Sequence, residues 1–99
     1  MIEIRQTAVF AKWLAGLRDR EARARIAVRI DRMALGNPGD VKAVGAGVSE
    51  MRITYGPGYR VYFTRRGDVL VLLLCGGDKS SQPRDIAAAK AMAAEWELE

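Results

Sequence analysis

Apolar and polar residues alternate over residues 2–5, then apolar ones recur at helical spacing, then alternation returns before a final helical stretch. The first run predicts a short strand. Thr7 predicts a helix N-cap, with Phe10, Trp13, Leu14 and Leu17 on one face of the helix that follows. Asp19 predicts a second N-cap ahead of Ala22, Ile26, Ile30 and Met33, while Arg25, Arg29 and Arg32 share another face, so this helix is basic outside. Gly36-Asn37-Pro38-Gly39-Asp40 breaks it, and with Gly45-Ala46-Gly47 close behind, a loop is expected across the region. The VGAG segment lacks the glycine spacing and terminal Lys-Ser/Thr of a phosphate-cradling loop and reads as a turn.

From Val48 the period is two: Met51 and Ile53 point to the core, Glu50, Arg52 and Thr54 away from it. After the Gly56-Pro57-Gly58 turn, Val61 and Phe63 take the core side and Arg60, Tyr62 and Thr64 the other. Arg66-Gly67 links into residues 68–74, apolar on both faces, which predicts a central strand covered on both sides. Pro83 suits the first turn of a last helix whose Ile86, Ala89, Ala93 and Trp96 cover that second face. The expected class is α+β: a strand, two helices, a three-stranded antiparallel meander and a C-terminal helix, in a single domain spanning residues 1–99.

Composition narrows the chemistry. A hydrophobic share of 49% against 28% charged residues suits a packed core and excludes wholesale disorder. Cys75, the lone cysteine, follows an apolar run and is expected as a buried thiol in a reducing cytoplasmic setting. No apolar run approaches membrane-spanning length, and the first residues lack the basic start and apolar stretch of a signal peptide, so no membrane partner is expected. With no histidine and no ligand cluster of zinc spacing, the expected chemistry uses no transition metal, no cofactor and no histidine base. A net charge of +4 carried mainly by arginine favours phosphate or carboxylate partners.

The stretch YGPGYRVYF, residues 55–63, plants an arginine amid aromatic surface where neither the turn nor the strand pattern needs one. If the hairpin closes around Pro57, Arg52 lies opposite Tyr62 and Thr54 opposite Arg60, gathering two guanidinium groups and a phenol on one sheet face. Such like charges repel until an anion arrives. Solvated arginines paired with Glu50 and Asp68 are the alternative. Lys79, in GGDKSSQ at the end of the central strand, can carry its ammonium toward the same patch, whereas Asp78, Ser80 and Ser81 read as turn and cap.

The segments GNPGDVKAVGAGVSEMRI, YGPGYRVYF and LLCGGDKSSQPRDIAAAK resemble the toxins of bacterial type II toxin–antitoxin modules, in the RelE/ParE superfamily and its phage-related HigB-like branch, over nearly the whole chain. The resemblance implies a RelE-like fold and a metal-independent endonuclease that cuts messenger RNA on the translating ribosome, neutralised by a cognate DNA-binding antitoxin. In such cleavage the ribose 2′-hydroxyl attacks the adjacent phosphorus. By the same resemblance Arg60 binds the scissile phosphate, its planar fork matching two oxygens. Arg52 adds charge stabilisation, and Lys79 serves as proton donor or phosphate clamp. The lysines and C-terminal tyrosine of RelE-type members are replaced here by residues such as Val48, Glu50 and those of 86–89, which leaves the proton acceptor open between Glu50 and Lys79. Tyr62 stacks on a base, donates to phosphate, or merely packs. Lys42 with Arg25, Arg29 and Arg32 would supply a sequence-independent grip on ribosomal RNA. Two rivals use the same scaffold: a ParE-like poison of DNA gyrase, and an inert partner whose basic face recognises an acidic antitoxin segment. On the nuclease reading, Arg60→Ala should remove toxicity while the fold stays intact.

Overall fold

The computed structural model describes residues 1–97, so the end of the expected 1–99 domain lies outside the described residues. β1 (Glu3–Gln6) leads into α1 (Ala8–Gly16) and α2 (Arg20–Ala34). Then come β2 (Val41–Gly45), β3 (Val48–Ile53), β4 (Tyr59–Arg66), β5 (Leu70–Asp78), a 3-10 turn at Lys79–Ser81 and α3 (Gln82–Glu97). The class is α+β, a five-stranded sheet in the order β1-β5-β4-β3-β2 with helices on both faces.

Both helix starts follow from their caps. Thr7 Oγ1 accepts from the Phe10 amide at 3.0 Å and donates to the Leu74 carbonyl at 2.6 Å, so one side chain begins α1 and ties it to β5. Asp19 Oδ1 accepts from the Glu21 and Ala22 amides at 3.0 and 3.2 Å. The apolar faces of α1 and α2 then pack on one side of the sheet, where Phe10, Ile26 and Met33 meet Met51, Ile53, Val61, Phe63, Val71 and Leu73. On the other side Ala89 and Ala93 of α3, with Ile86 and Trp96 beside them, cover Val48, Tyr62, Leu72, Leu74 and Cys75. Leu74 and Cys75 face the same way because a bulge interrupts the ladder: Tyr62 pairs with Cys75 but Phe63 with Leu73.

Several expectations need correcting. Residues 36–47 are not all loop, because Val41–Gly45 forms edge strand β2, joined to β3 by a tight turn with Ala46 and Gly47 at φ of 54° and 76°. The meander is therefore four strands long, and β1 adds to it in parallel beside β5. β4 is the middle strand, while β5 lies between β4 and β1 and is covered on both faces as its apolar run implied. The β3–β4 register also differs: Arg52 pairs with Arg60, and Tyr62 with Glu50. The hairpin turns about Gly56 rather than Pro57, through the Tyr55–Gly58 bond at 3.1 Å. A slip of two residues keeps each side chain on its expected face, since side chains alternate with period two.

Candidate functional site

The register sets two rows across the α3 side of the sheet. Arg52, Arg60 and Gly77 form one, and Lys42, Glu50, Tyr62 and Cys75 the next. α3 lies over the second row and begins at Gln82, so the first row is left beside open space at the end of the sheet. Gly77 is where the helix start crosses β5; a Cβ there would overlap the Asp85 carboxylate. On the opposite face the neighbouring Gly76 lies against the Trp13 ring, which a Cβ would overlap in turn. The glycine pair thus lets α1 and α3 both close on the end of β5.

The open space is a cleft of about 360 Å³ walled by Arg52, Arg60 and Lys79, with Asp40, Thr54, Tyr55, Gly56 and Gly58 completing it. The three cations expected to converge do so. Arg52 reaches in from the end of β3, and its guanidinium donates to Asp40 Oδ1 through Nη2 at 2.9 Å and Nε at 3.3 Å. Lys79, on the turn after β5, runs across Gly58, whose missing Cβ would lie 2.9 Å from Lys79 Cε. Gly58 has φ of 83°, so glycine serves both the turn and the passage of the lysine stem. One lining carboxylate against three cations leaves the cleft wall net positive.

Arg60 is 8% exposed and lies at the inner wall. Its Nη1 donates to the Tyr59 carbonyl at 3.1 Å, while Nε is buried, 3.9 Å from Glu50 Oε1 and without a hydrogen-bond acceptor among the described residues. Glu50 is 2% exposed and accepts from Gln82 Nε2 at 2.9 Å, so the start of α3 fixes the carboxylate that faces Arg60. Glu50 is therefore a buried counter-ion behind the arginine, not a lining residue of the cleft. The solvated Arg60–Glu50 pairing is corrected by the same burial, and Asp68 pairs elsewhere, with Arg65 at 2.9 Å. Removing Arg60 as Arg60→Ala would strand Glu50, so the fold would not be left untouched.

Tyr62 does not reach the cleft. It is fully buried beneath α3, its hydroxyl has no partner among the described residues, and burial followed by the charges of Glu50 and Asp85 pushes its ionisation far above the ordinary phenol range. Of the roles left open for it, packing is the one its position allows. Base stacking from solvent is excluded by α3.

Of the residues expected to grip RNA, Arg25, Arg29 and Arg32 line one cleft on the α2 side, while Lys42 lies apart from them. Lys42 is exposed at the outer end of the second row. Arg29 donates to the carbonyls of Arg52, Pro38 and Asp40 at 2.6, 3.1 and 3.2 Å, so it staples α2 to the sheet edge and has little left to offer a ligand. Arg25 pairs with Glu21 at 3.0 Å and lies over the Tyr55 ring. Arg32, exposed, lines a second cleft of about 350 Å³ with Arg25, Val28 and Thr54. Asp40, Tyr55 and Gln82 were missed as site residues. Tyr55 was part of the quoted aromatic stretch, but Asp40 and Gln82 reach the site through β2 and the β3–α3 contact, neither of which a local pattern signals.

Fold and cleft together define a small α+β protein with a cationic cleft at one end of its sheet. The chain belongs to the phage-derived Gp49-like protein family, whose model matches residues 12–95, and that family is associated with toxin–antitoxin systems. It is also 50% identical over 97 residues to an uncharacterized protein of Haemophilus influenzae, covering 98% of each chain.

Proposed function

We propose that the chain is the toxin of a type II toxin–antitoxin module, on the HigB-like branch of the RelE/ParE superfamily. It acts in the cytoplasm as a metal-independent endoribonuclease that cuts messenger RNA on the ribosome. A cognate DNA-binding antitoxin holds it inactive. The observation that supports this reading is the meeting of Arg52, Arg60 and Lys79 around one open cleft. In the reaction the 2′-oxygen bonds to phosphorus as the bond from phosphorus to the 5′-oxygen breaks, leaving a 2′,3′-cyclic phosphate and a 5′-hydroxyl. Arg60 holds the non-bridging oxygens with its fork, and Arg52 turns from Asp40 to the added negative charge. Asp40, the carboxylate in the cleft wall, takes the 2′-proton, and Lys79 gives one to the leaving oxygen. Exposed Lys42 and Arg32 add salt-sensitive attraction to ribosomal RNA.

Primer extension on a reporter messenger RNA in a cell-free translation reaction tests this. New ends that require translation are expected with the natural chain. Arg60→Lys, which keeps a charge beside Glu50 but loses the fork, should lower their yield about a hundredfold or more. Whole RNA and continuing translation would sink the nuclease reading, and gyrase supercoiling would be the next assay.

A further inference from the structure

Between α2 and β2 the chain crosses residues 35–40 without a regular element, and its last three, Pro38, Gly39 and Asp40, wrap one side chain of α2. Arg29 donates from Nη2 to the carbonyls of Pro38 and Asp40, at 3.1 and 3.2 Å, and from Nη1 to the Arg52 carbonyl at 2.6 Å. Gly39, at φ of 72°, lies against the guanidinium. A Cβ there would come within 3.0 Å of Nη2, so glycine serves both the turn and the close wrap. A planar fork meets carbonyls from two segments at once, which a lysine ammonium, a point charge on a flexible stem, does not reproduce. The two segments matter because Asp40 and Arg52 face each other in the wall of the cleft that holds Arg60 and Lys79.

Asp40 is held at the cleft in two ways. Its carboxylate accepts from the Arg52 guanidinium, and its carbonyl accepts from the Arg52 amide at 3.0 Å as well as from Arg29. Once Arg52 turns to a bound phosphate, the first contact is given up. The main-chain contacts then carry the whole task of keeping an exposed aspartate, with Gly39 beside it, within reach of a proton. We propose that Arg29 is a positioning residue for the reaction: from behind the cleft it clamps the main chain of Asp40 and Arg52, and so keeps the Asp40 carboxylate placed to accept the 2′-proton. This rests on the endonuclease reading and on Asp40 as the proton acceptor. Arg29 does not itself line that cleft, so its loss bears on the rate of cleavage and not on the hold on the strand. Proton transfer needs hydrogen-bond reach, and a displacement of about 1 Å costs on the order of a hundredfold.

The test is single-turnover cleavage of a reporter messenger RNA on ribosomes paused on it, with the purified chain in varied excess, which separates the maximal rate from the concentration that gives half of it. Arg29→Met, which keeps the stem but donates nothing, should lower the maximal rate about tenfold to a hundredfold and move the half-saturating concentration less than about threefold. Arg29→Lys, which keeps the charge and one donor, should fall between that variant and the natural chain, and it carries the test by itself where Arg29→Met does not fold. In an Asp40→Asn background either substitution should add less than about threefold, because the group that Arg29 positions is already gone. An undiminished maximal rate in both Arg29 variants would overturn the inference. So would a further loss of about tenfold on top of Asp40→Asn, which is what a merely structural role predicts. A raised half-saturating concentration at full rate would make Arg29 a contact to RNA and overturn it as well. Cleavage by Asp40→Asn at the natural rate removes the proton acceptor, and the inference with it, while the endonuclease reading stands; no cleavage by the natural chain fails that reading itself.

Discussion

Glu50→Gln separates a buried counter-ion from a catalytic base. The substituted amide keeps an acceptor for Gln82, so what is lost is the negative charge 3.9 Å from Arg60 Nε. At that distance and an effective dielectric of about 20, the attraction is worth roughly 4 kcal/mol. Breaking a buried pair from one side costs about 3–5 kcal/mol. Arg60 also lines an open cleft, where water screens part of the loss. We therefore expect the variant to be less stable by about 2–4 kcal/mol, read as a lower midpoint in urea with unchanged slope. Cleavage per folded molecule should fall only modestly. The pair should also couple: Arg60→Gln on its own strands the carboxylate, and combining both substitutions should recover about 2 kcal/mol of the summed losses. A stability change below about 0.5 kcal/mol with cleavage reduced a hundredfold or more would refute the reasoning and restore Glu50 as proton acceptor.

Three further outcomes follow from the fold. Gly76→Ala drives a methyl into the Trp13 ring and should cost about 1–3 kcal/mol, with a shift in tryptophan emission; an unchanged urea midpoint would count against the close approach of α1 to β5. Ala46→Gly relieves a non-glycine residue at φ of 54° in the β2–β3 turn and should raise stability by about 0.5–1 kcal/mol; a loss would contradict the left-handed turn. Burial, with the charge of Asp85 behind it, pushes the Cys75 thiol from 9.0 to about 11. The protonated thiol is favoured in the folded state, so its contribution is complete below pH 9 and is lost as pH rises through about 11. Relative to Cys75→Ala, the natural chain should lose about 1–2 kcal/mol across that window, and thiol reagents at pH 8 should label only on unfolding. Rapid labelling of folded protein would overturn this.

Where order is local, the residues announce it. Thr7 and Asp19 mark both helix starts, and the period-two runs place Met51, Ile53, Val61 and Phe63 on the face they occupy. β2 escapes the same reading for a definite reason. Its two valines, Val41 and Val44, are three positions apart and so point to opposite faces, one toward each core cluster, and the short strand shows no run of alternating apolar and polar residues. The parallel pairing of β1 with β5 joins residues at opposite ends of the chain and leaves no local trace. In the site, the convergence of Arg52, Arg60 and Lys79 was legible because an even slip in register preserves faces. Burial was not. The face carrying Arg60, Tyr62 and Glu50 reads as polar, yet α3 covers all but its end, turning Tyr62 into core and Glu50 into an internal counter-charge. Arg29 looks like its neighbours on the basic helix face and is instead consumed by backbone carbonyls contributed from the sheet edge.

The most direct measurement of the central claim is the chemistry of the RNA ends made by the purified chain on translating ribosomes. A cleft that clamps the scissile phosphate for attack by the neighbouring 2′-hydroxyl predicts 2′,3′-cyclic phosphates and 5′-hydroxyls, strongly reduced in Arg60→Lys and in Lys79→Met. Ends bearing 5′-phosphates, or cleavage undiminished in both variants, would contradict it.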